Sequence, residues 1–266
     1  MSTSKKHIIL ETKKLTIGYQ QKKAKKIIAN DVNLAIEKGK FIALLGKNGI
    51  GKSTLLRTVS KVQNQISGDV FLNDKNLSTY TNKELATNLS LVLTERLPES
   101  QLTVFELIAL GRQPYTNWID TLSEIDIEKI NVAIQLTEVE HLKDHRFYEL
   151  SDGQLQRVLI ARALAQDTDV IILDEPTAHL DMHHTYKIFQ LLKNLVATTQ
   201  KTILISTHQI NLAIDIVDEL IIMSANDVFS GKTEDLIEQN KLENLFPKEI
   251  LSFNKRLRQF TISKDN

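Results

Sequence analysis

Phe41 to Thr54 reads FIALLGKNGIGKST: five apolar residues, a loop holding three glycines, and a Lys–Ser–Thr run. The apolar positions Leu55, Leu56 and Val59 follow at helical spacing. The stretch predicts a buried strand, a tight loop and a helix, the first βα unit of a parallel sheet. Gly46 to Thr54 (Gly46, Lys47, Asn48, Gly49, Ile50, Gly51, Lys52, Ser53, Thr54) matches G-x-x-x-x-G-K-[ST] in the context that pattern requires. Three of the nine glycines of the chain fall here. Successive backbone N–H groups can encircle a phosphate only where side chains do not intrude and positive φ costs little. Lys52 is expected to reach the β and γ phosphates, the Ser53 hydroxyl to ligate Mg²⁺, and the helix to add its positive end.

Three further runs, Val170 to Leu173, Ile203 to Ser206 and Leu220 to Met223, are apolar throughout, as strands covered on both faces must be. Asp174 and Glu175 close the first of them. The Asp174 carboxylate is expected at the carboxyl edge of the sheet, where such an acid holds Mg²⁺. Glu175 points differently and is placed to orient the attacking water. His208, two residues after the second run, should emerge at the same edge and sense a γ-phosphate. Ile8 to Ile36 alternates strand-like segments with turns, and the lysine-rich stretch Gln21 to Lys26 reads as a solvated hairpin connection.

From about Thr94 to Ala165 the pattern turns helical. Thr103 with Glu106, and Ser123 with Asp126, form capping boxes before apolar runs, and Gly111 sits where a C-terminal cap would stand. The expected architecture is α/β, a P-loop NTPase (RecA-like) core with an N-terminal antiparallel β subdomain and an inserted α-helical subdomain. Residues 1–93 and 166–230 make the core with its β subdomain, 94–165 the helical insertion, and 231–266 a C-terminal tail whose cluster Lys255, Arg256 and Arg258 reads as solvated surface.

Composition removes other classes. With 266 residues and 42% apolar content the chain can bury a substantial core. Lysine plus arginine equal aspartate plus glutamate at 33 each, so no global field draws it to nucleic acid. There is no cysteine, which excludes disulfides and thiolate chemistry. The start, MSTSKKHIIL, is too short in apolar residues for a signal peptide, and no apolar run approaches the roughly 20 residues that span a bilayer. A membrane span, if one is involved, belongs to other chains.

Leu150 to Gln154, LSDGQ, begins 24 residues ahead of Asp174 and opens a helix with Leu155, Val158 and Leu159 in phase. A hydroxyl (Ser151), a glycine (Gly153) and a free helix start form an anion site. The loop at Gly46 already supplies one such site, so a second suggests that two copies of the protein share each nucleotide.

Together these stretches resemble the nucleotide-binding subunits of ABC transporters over nearly the whole chain, from about Leu15 to Gly231. GKNGIGKST corresponds to the Walker A loop, LSDGQ to the signature, VIILDE to Walker B, Ala178 to Asp181 (AHLD) to the D-loop, and His208 to the switch histidine. The resemblance implies Tyr19 stacking on adenine, and Ser151, Gly153, Gln154 and Asp181 acting in trans across a dimer. It departs from the family at Thr94, which stands in LSLVLTER where a Q-loop glutamine is expected; its hydroxyl could still ligate Mg²⁺. Leu110 to Trp118, LGRQPYTNW, resembles the GRxP stretch of importers of iron chelates, haem and cobalamin, a region that lies against the membrane subunit. His179, His183 and His184 invite a metal reading, but a helix start beside a dimer interface explains polar residues there without one.

The resemblance implies a subunit that binds and hydrolyses ATP with Mg²⁺, Glu175 and His208 serving catalysis, and that dimerises around two nucleotides. It would drive import of an iron chelate, haem or cobalamin through integral permease subunits, with a solute-binding protein in the same system. The subunit would sit peripherally on the cytoplasmic face of the inner membrane. A soluble ABC ATPase of an assembly machine, such as the iron–sulfur type, and a transporter ATPase for another cargo are the alternatives.

Overall fold

The computed structural model describes residues 7–21, 24–93, 100–116, 121–225, 227–246 and 250–262. The chain divides into two compact units, residues 1–80 with 202–266, and residues 81–201.

The first unit begins with β1 (Ile8–Gln21) and β2 (Ala24–Glu37), a long antiparallel pair that reaches, through several register shifts, from Ile8 opposite Glu37 to Gln21 opposite Ala24. Alternation buries Leu10, Leu15 and Ile17 on one face and breaks at Lys13 and Lys14, where the register shifts. Lys14 takes a positive φ of 47°, and its N–H donates to Asn33 Oδ1 at 2.8 Å, so the bulge leaves no stranded donor. Next come β3 (Phe41–Leu45), α1 (Lys52–Val59), β4 (Ser67–Leu72) and β5 (Lys75–Asn76). The antiparallel sheet has the order β2-β1-β4-β5.

The second unit opens with α2 (Asn82–Ala86) and β6 (Leu89–Val92). Three helices follow: α3 (Val104–Ala109), α4 (Glu124–Leu136) and α5 (Asp152–Ala165). The two expected capping boxes are both formed, Thr103 with Glu106 and Ser123 with Asp126. A core of Val104, Leu107 and Ile108, Ile130 and Ile134, and Val158, Ala161 and Ala165 holds the three helices together. Then β7 (Val170–Leu173) pairs parallel to β6, and α6 (Met182–Thr199) buries Ile188, Phe189, Leu192, Leu195 and Val196, a single helical face.

The chain returns to the first unit with β8 (Thr202–Ser206), α7 (Ile210–Ile216), β9 (Glu219–Met223) and β10 (Val228–Lys232). Here β3 lies between β8 and β9, parallel to both, and β10 runs antiparallel along β9. Every residue of β3, β8 and β9 is buried, which is why their sequences are mainly apolar rather than alternating, with the polar Thr202, Ser206 and Glu219 confined to strand ends. The strands expected from the apolar runs are present, with β8 and β9 each one residue longer at the start. The end of the chain forms α8 (Thr233–Glu238) and a hairpin of β11 (Leu251–Asn254) and β12 (Gln259–Ile262). Phe260 meets Phe246 and Phe253 edge-on at 5.0 and 5.2 Å. Arg258, expected as plain solvated surface, instead pairs with Glu234 at 2.7 Å and donates to the Ile214 carbonyl at 3.1 Å.

Among the described residues no helix is long and apolar enough to cross a membrane.

Candidate nucleotide site

β3 delivers the chain into the loop, and α1 carries it away. Gly51 caps α1 with φ 114° and ψ 18°, a conformation that L side chains rarely adopt. A Cβ there would also run into Ile28 Cγ2 of β2. Gly49, at φ 74°, has nothing within 4 Å of the place its Cβ would occupy, so it borders open space. Lys52 is buried, and its ammonium donates to the Gly46 carbonyl at 3.0 Å and to the Lys47 carbonyl at 3.4 Å. His208 Nε2 lies 3.5 Å from the same ammonium. An exposed open turn, a captive cation and an imidazole thus surround one small space within the first unit. The captive ammonium, with the N-terminal end of α1 behind the loop, fits a polyphosphate.

Tyr19, near the end of β1, is 45% exposed, and its hydroxyl lies 3.1 Å from Thr54 Oγ1 on α1. The bond pins the ring beside the helix that follows the loop and leaves part of it in solvent. Sequence reasoning placed an aromatic residue here but not its anchor. Nothing in the spacing of Tyr19 and Thr54 signals the contact, which depends on how β1 passes α1.

In the second unit Asp174 directly follows β7; its N–H donates to the Val92 carbonyl at 2.9 Å, which extends the pairing with β6 by one residue. The residue is 2% exposed. Glu175 then turns into the left-handed region at φ 48°, an uncommon conformation for a residue with a side chain. The Ala178 N–H closes the turn on the Glu175 carbonyl at 3.1 Å. Two adjacent carboxylates therefore leave the strand in different directions, which an extended chain also allows, but with the second held by a strained turn that the sequence did not announce.

Ser151 caps α5. Its hydroxyl accepts from the Gln154 N–H at 3.4 Å, and Gln154 Oε1 accepts from the Ser151 N–H at 3.0 Å. Asp181 caps α6, accepting from the His184 N–H at 2.8 Å, and its carboxyl is held below the usual range first by that bond and then by the His184 side chain. Among the described residues no group of three His, Cys, Asp or Glu side chains could hold a metal ion.

The GRxP stretch is structural to a degree not read from its sequence. Gly111 does not end α3 as a left-handed cap; it lies in a 3-10 turn (Leu110–Arg112). There a Cβ would run into the Arg162 carbonyl of α5, so the glycine serves close approach of two backbones. Arg112 is 4% exposed and ties three elements: it meets Asp126 at 2.8 Å, donates to the Ala165 carbonyl at 2.8 Å, and lies 3.9 Å from the centre of the Tyr115 ring. Asp126 does double duty as the N3 residue of the Ser123 box. Fourteen residues separate Arg112 from Asp126, so no local pattern could have shown the pair. Thr94 and Trp118 lie outside the described residues.

A glycine cradle at the end of a buried parallel strand, with a captive lysine and a histidine at the same strand edge, defines a P-loop ATPase. The chain belongs to the ABC transporter family, whose sequence model matches residues 29–178. It is 35% identical over 241 residues to the petrobactin import ATP-binding protein FpuD of Bacillus anthracis, covering 90% of this chain and 87% of that one. A metal-chelate type ABC transporter solved in an inward-facing conformation superposes with a TM-score of 0.78 at 25% identity, over 96% of each chain. The ATP-binding cassette MJ0796, solved as a dimer in a post-hydrolysis state with ADP and Pi, superposes with a TM-score of 0.72 at 29% identity, over 85% of this chain and 99% of that one. The chain is thus an ABC ATPase, an ATP-binding and ATP-hydrolysing subunit.

Proposed function

We propose that this subunit drives import of a metal chelate, an iron chelate foremost, with haem and cobalamin as the related cargoes. The observation that carries the nucleotide chemistry is the Lys52 ammonium, held by the Gly46 carbonyl within the loop and 3.5 Å from His208. In this reading Gly46 to Thr54 cradle the phosphates and Tyr19 stacks on adenine. Ser53 and Asp174 would hold Mg²⁺, with the Thr94 hydroxyl available as a further ligand, and the ion would supply neutralisation of charge on the phosphates. Glu175 orients and polarises the attacking water, and His208 contacts the γ-phosphate. Ser151, Gly153, Gln154 and Asp181 complete the site of a second copy.

The import reading is supported by the likeness to a petrobactin import protein and to a metal-chelate type transporter. Dimerisation is supported by the dimeric cassette with ADP and Pi. Permease subunits are the partner for the helical region, where α4 exposes Ile125 (63%) and Val132 (42%), seven residues apart and so on one face. A solute-binding protein belongs to the same system, and the subunit works peripherally at the cytoplasmic face of the membrane. No nucleic acid is involved.

The experiment is Glu175→Gln. Nucleotide binding stays within about two-fold of wild type, while phosphate release falls by about 10²-fold or more and ATP traps a dimer on gel filtration. Unchanged hydrolysis removes Glu175 from its role. Membrane extracts carrying the tagged variant with ATP should yield integral membrane proteins, and recovery of soluble scaffold proteins instead would reject the transporter.

A further inference from the structure

In the second unit a cleft of about 280 Å³ opens beside the starts of α5 and α6, and its wall includes Ser151, Gly153, Arg157, His184 and Lys187. His184 is the side chain that joins the two helix starts. On one edge its Nδ1 lies 3.0 and 2.9 Å from the two carboxylate oxygens of Asp181, the N-cap three residues earlier. A carboxylate only accepts, so the ring proton is on Nδ1 and points at Asp181. On the other edge Cδ2 comes within 3.1 Å of the place where a Cβ of Gly153 would stand, and Cγ within 3.5 Å. The ring fills the space that the absent side chain of Gly153 leaves.

The pair of His184 and Asp181 is half exposed, at 51% and 64%, so its attraction alone is worth little. Shape gives it a task. Ser151 and Asp152 are exposed, and the turn they belong to is held on its own side by the capping box with Gln154 and by the Leu155 N–H on the Ser151 carbonyl at 2.8 Å. The ring supplies a backing from α6, and Asp181 fixes the ring. This also separates the three histidines near the D-loop: His184 is committed to Asp181, and His183 meets its ring edge-on at 5.6 Å.

We propose that His184 is a positioning residue for ATP hydrolysis, a wedge between Asp181 and Gly153 that holds the signature turn at the spacing needed to meet the nucleotide of a second copy. The inference rests on the reading of Ser151 to Gln154 as half of a shared site. His184 touches no substrate and should leave nucleotide capture by the monomer alone.

Two substitutions test it. Asparagine carries a nitrogen where His has Nδ1 and an oxygen where His has Cδ2, so His184→Asn keeps both contacts; His184→Ala keeps neither. Full-length wild type and both variants are compared for steady-state phosphate release, ATP binding and thermal midpoint. His184→Ala is expected to lower kcat about ten-fold with KM for ATP within about two-fold, and His184→Asn to restore most of the loss. An alanine variant with kcat like wild type overturns the proposal. So does an asparagine variant as slow as alanine, or a loss that lies in KM. Failure of the broader reading shows separately, as wild-type protein that releases no phosphate.

Discussion

The ammonium of Lys52 lies 3.5 Å from Nε2 of His208 while it donates to the carbonyl of Gly46 at 3.0 Å. An ammonium can only donate, so in this arrangement His208 accepts at Nε2 and carries its proton on Nδ1. The two side chains follow adjacent parallel strands: Lys52 comes after β3 in sequence, and His208 after its neighbour β8. In the proposed function the contact joins a group that meets phosphate in the ground state to one placed where charge develops as the γ-phosphoryl group leaves.

The two substitutions at this contact should therefore differ in kind. Lys52→Ala is expected to weaken ATP binding at least about ten-fold, because an ion–phosphate contact made in the bound state is lost. His208→Ala should leave affinity within a few-fold and lower kcat by about 10²-fold. Titration with a fluorescent ATP analogue and phosphate-release kinetics separate the two. A His208 variant that loses binding as strongly as Lys52→Ala would place the imidazole in nucleotide capture instead.

The loop glycines make a second contrast. Gly51→Ala meets two penalties, a φ of 114° and the Ile28 side chain, while Gly49→Ala meets only a φ of 74° in open space. The expected loss of folding stability for Gly49→Ala is about 1 kcal/mol. For Gly51→Ala it is about 2 to 4 kcal/mol, strain plus overpacking. Thermal or urea unfolding of nucleotide-free protein measures both. Adding Ile28→Ala to Gly51→Ala should recover part of the loss, and equal losses at the two glycines would remove the role of Ile28.

What the sequence showed and what it hid divide along physical lines. Strands β3, β7, β8 and β9 were legible because burial on both faces demands near-continuous apolar runs. The capping boxes at Thr103 and Ser123 were legible because their partners lie three residues apart. The phosphate loop was legible because its constraint is on backbone shape, which only glycine meets. Arg112 with Asp126, Tyr19 with Thr54, and Gly111 against Arg162 were hidden, since each joins elements whose approach is set by packing rather than by spacing. Gly111 shows the hazard: a glycine after a helix suggests a left-handed cap, and here it is required by the Arg162 carbonyl.

Arg112 and Asp126 carry a stability prediction with a pH signature. Both side chains are about 5% exposed, so removing one leaves the other charge buried, and Arg112→Ala is expected to cost about 3 to 5 kcal/mol. Burial alone would raise the Asp126 carboxyl, but hydrogen bonds from Ser123 and from Arg112 outweigh it and hold the group below its ordinary value. A group depressed in the folded state contributes stability that is fully present above its unfolded value, about 4, and lost as pH falls through the folded value. Asp126→Asn lacks that contribution. The difference in urea midpoint between wild type and Asp126→Asn should be largest at neutral pH and shrink in the acid range below about pH 4. A difference that does not change with pH would mean that the carboxylate charge is not what stabilises the site.

Tyr19 separates the ring from its hydroxyl. Tyr19→Phe keeps the exposed ring and loses only the bond to Thr54, at a cost to stability of about 0.5 to 1.5 kcal/mol. ATP affinity should stay within about two-fold if the neighbouring strand still holds the ring in place. Tyr19→Ala removes the stacking surface, worth about 1 to 3 kcal/mol, and should weaken ATP binding by about 5- to 150-fold. Because every base has a π face, GTP should suffer as much as ATP, and the ratio of the two affinities should not move. Parallel titrations of wild type and both variants with ATP and GTP measure this. A phenylalanine variant as weak as alanine would show that Thr54, through the Tyr19 hydroxyl, sets the ring for adenine, and Thr54→Val should then reproduce the same loss.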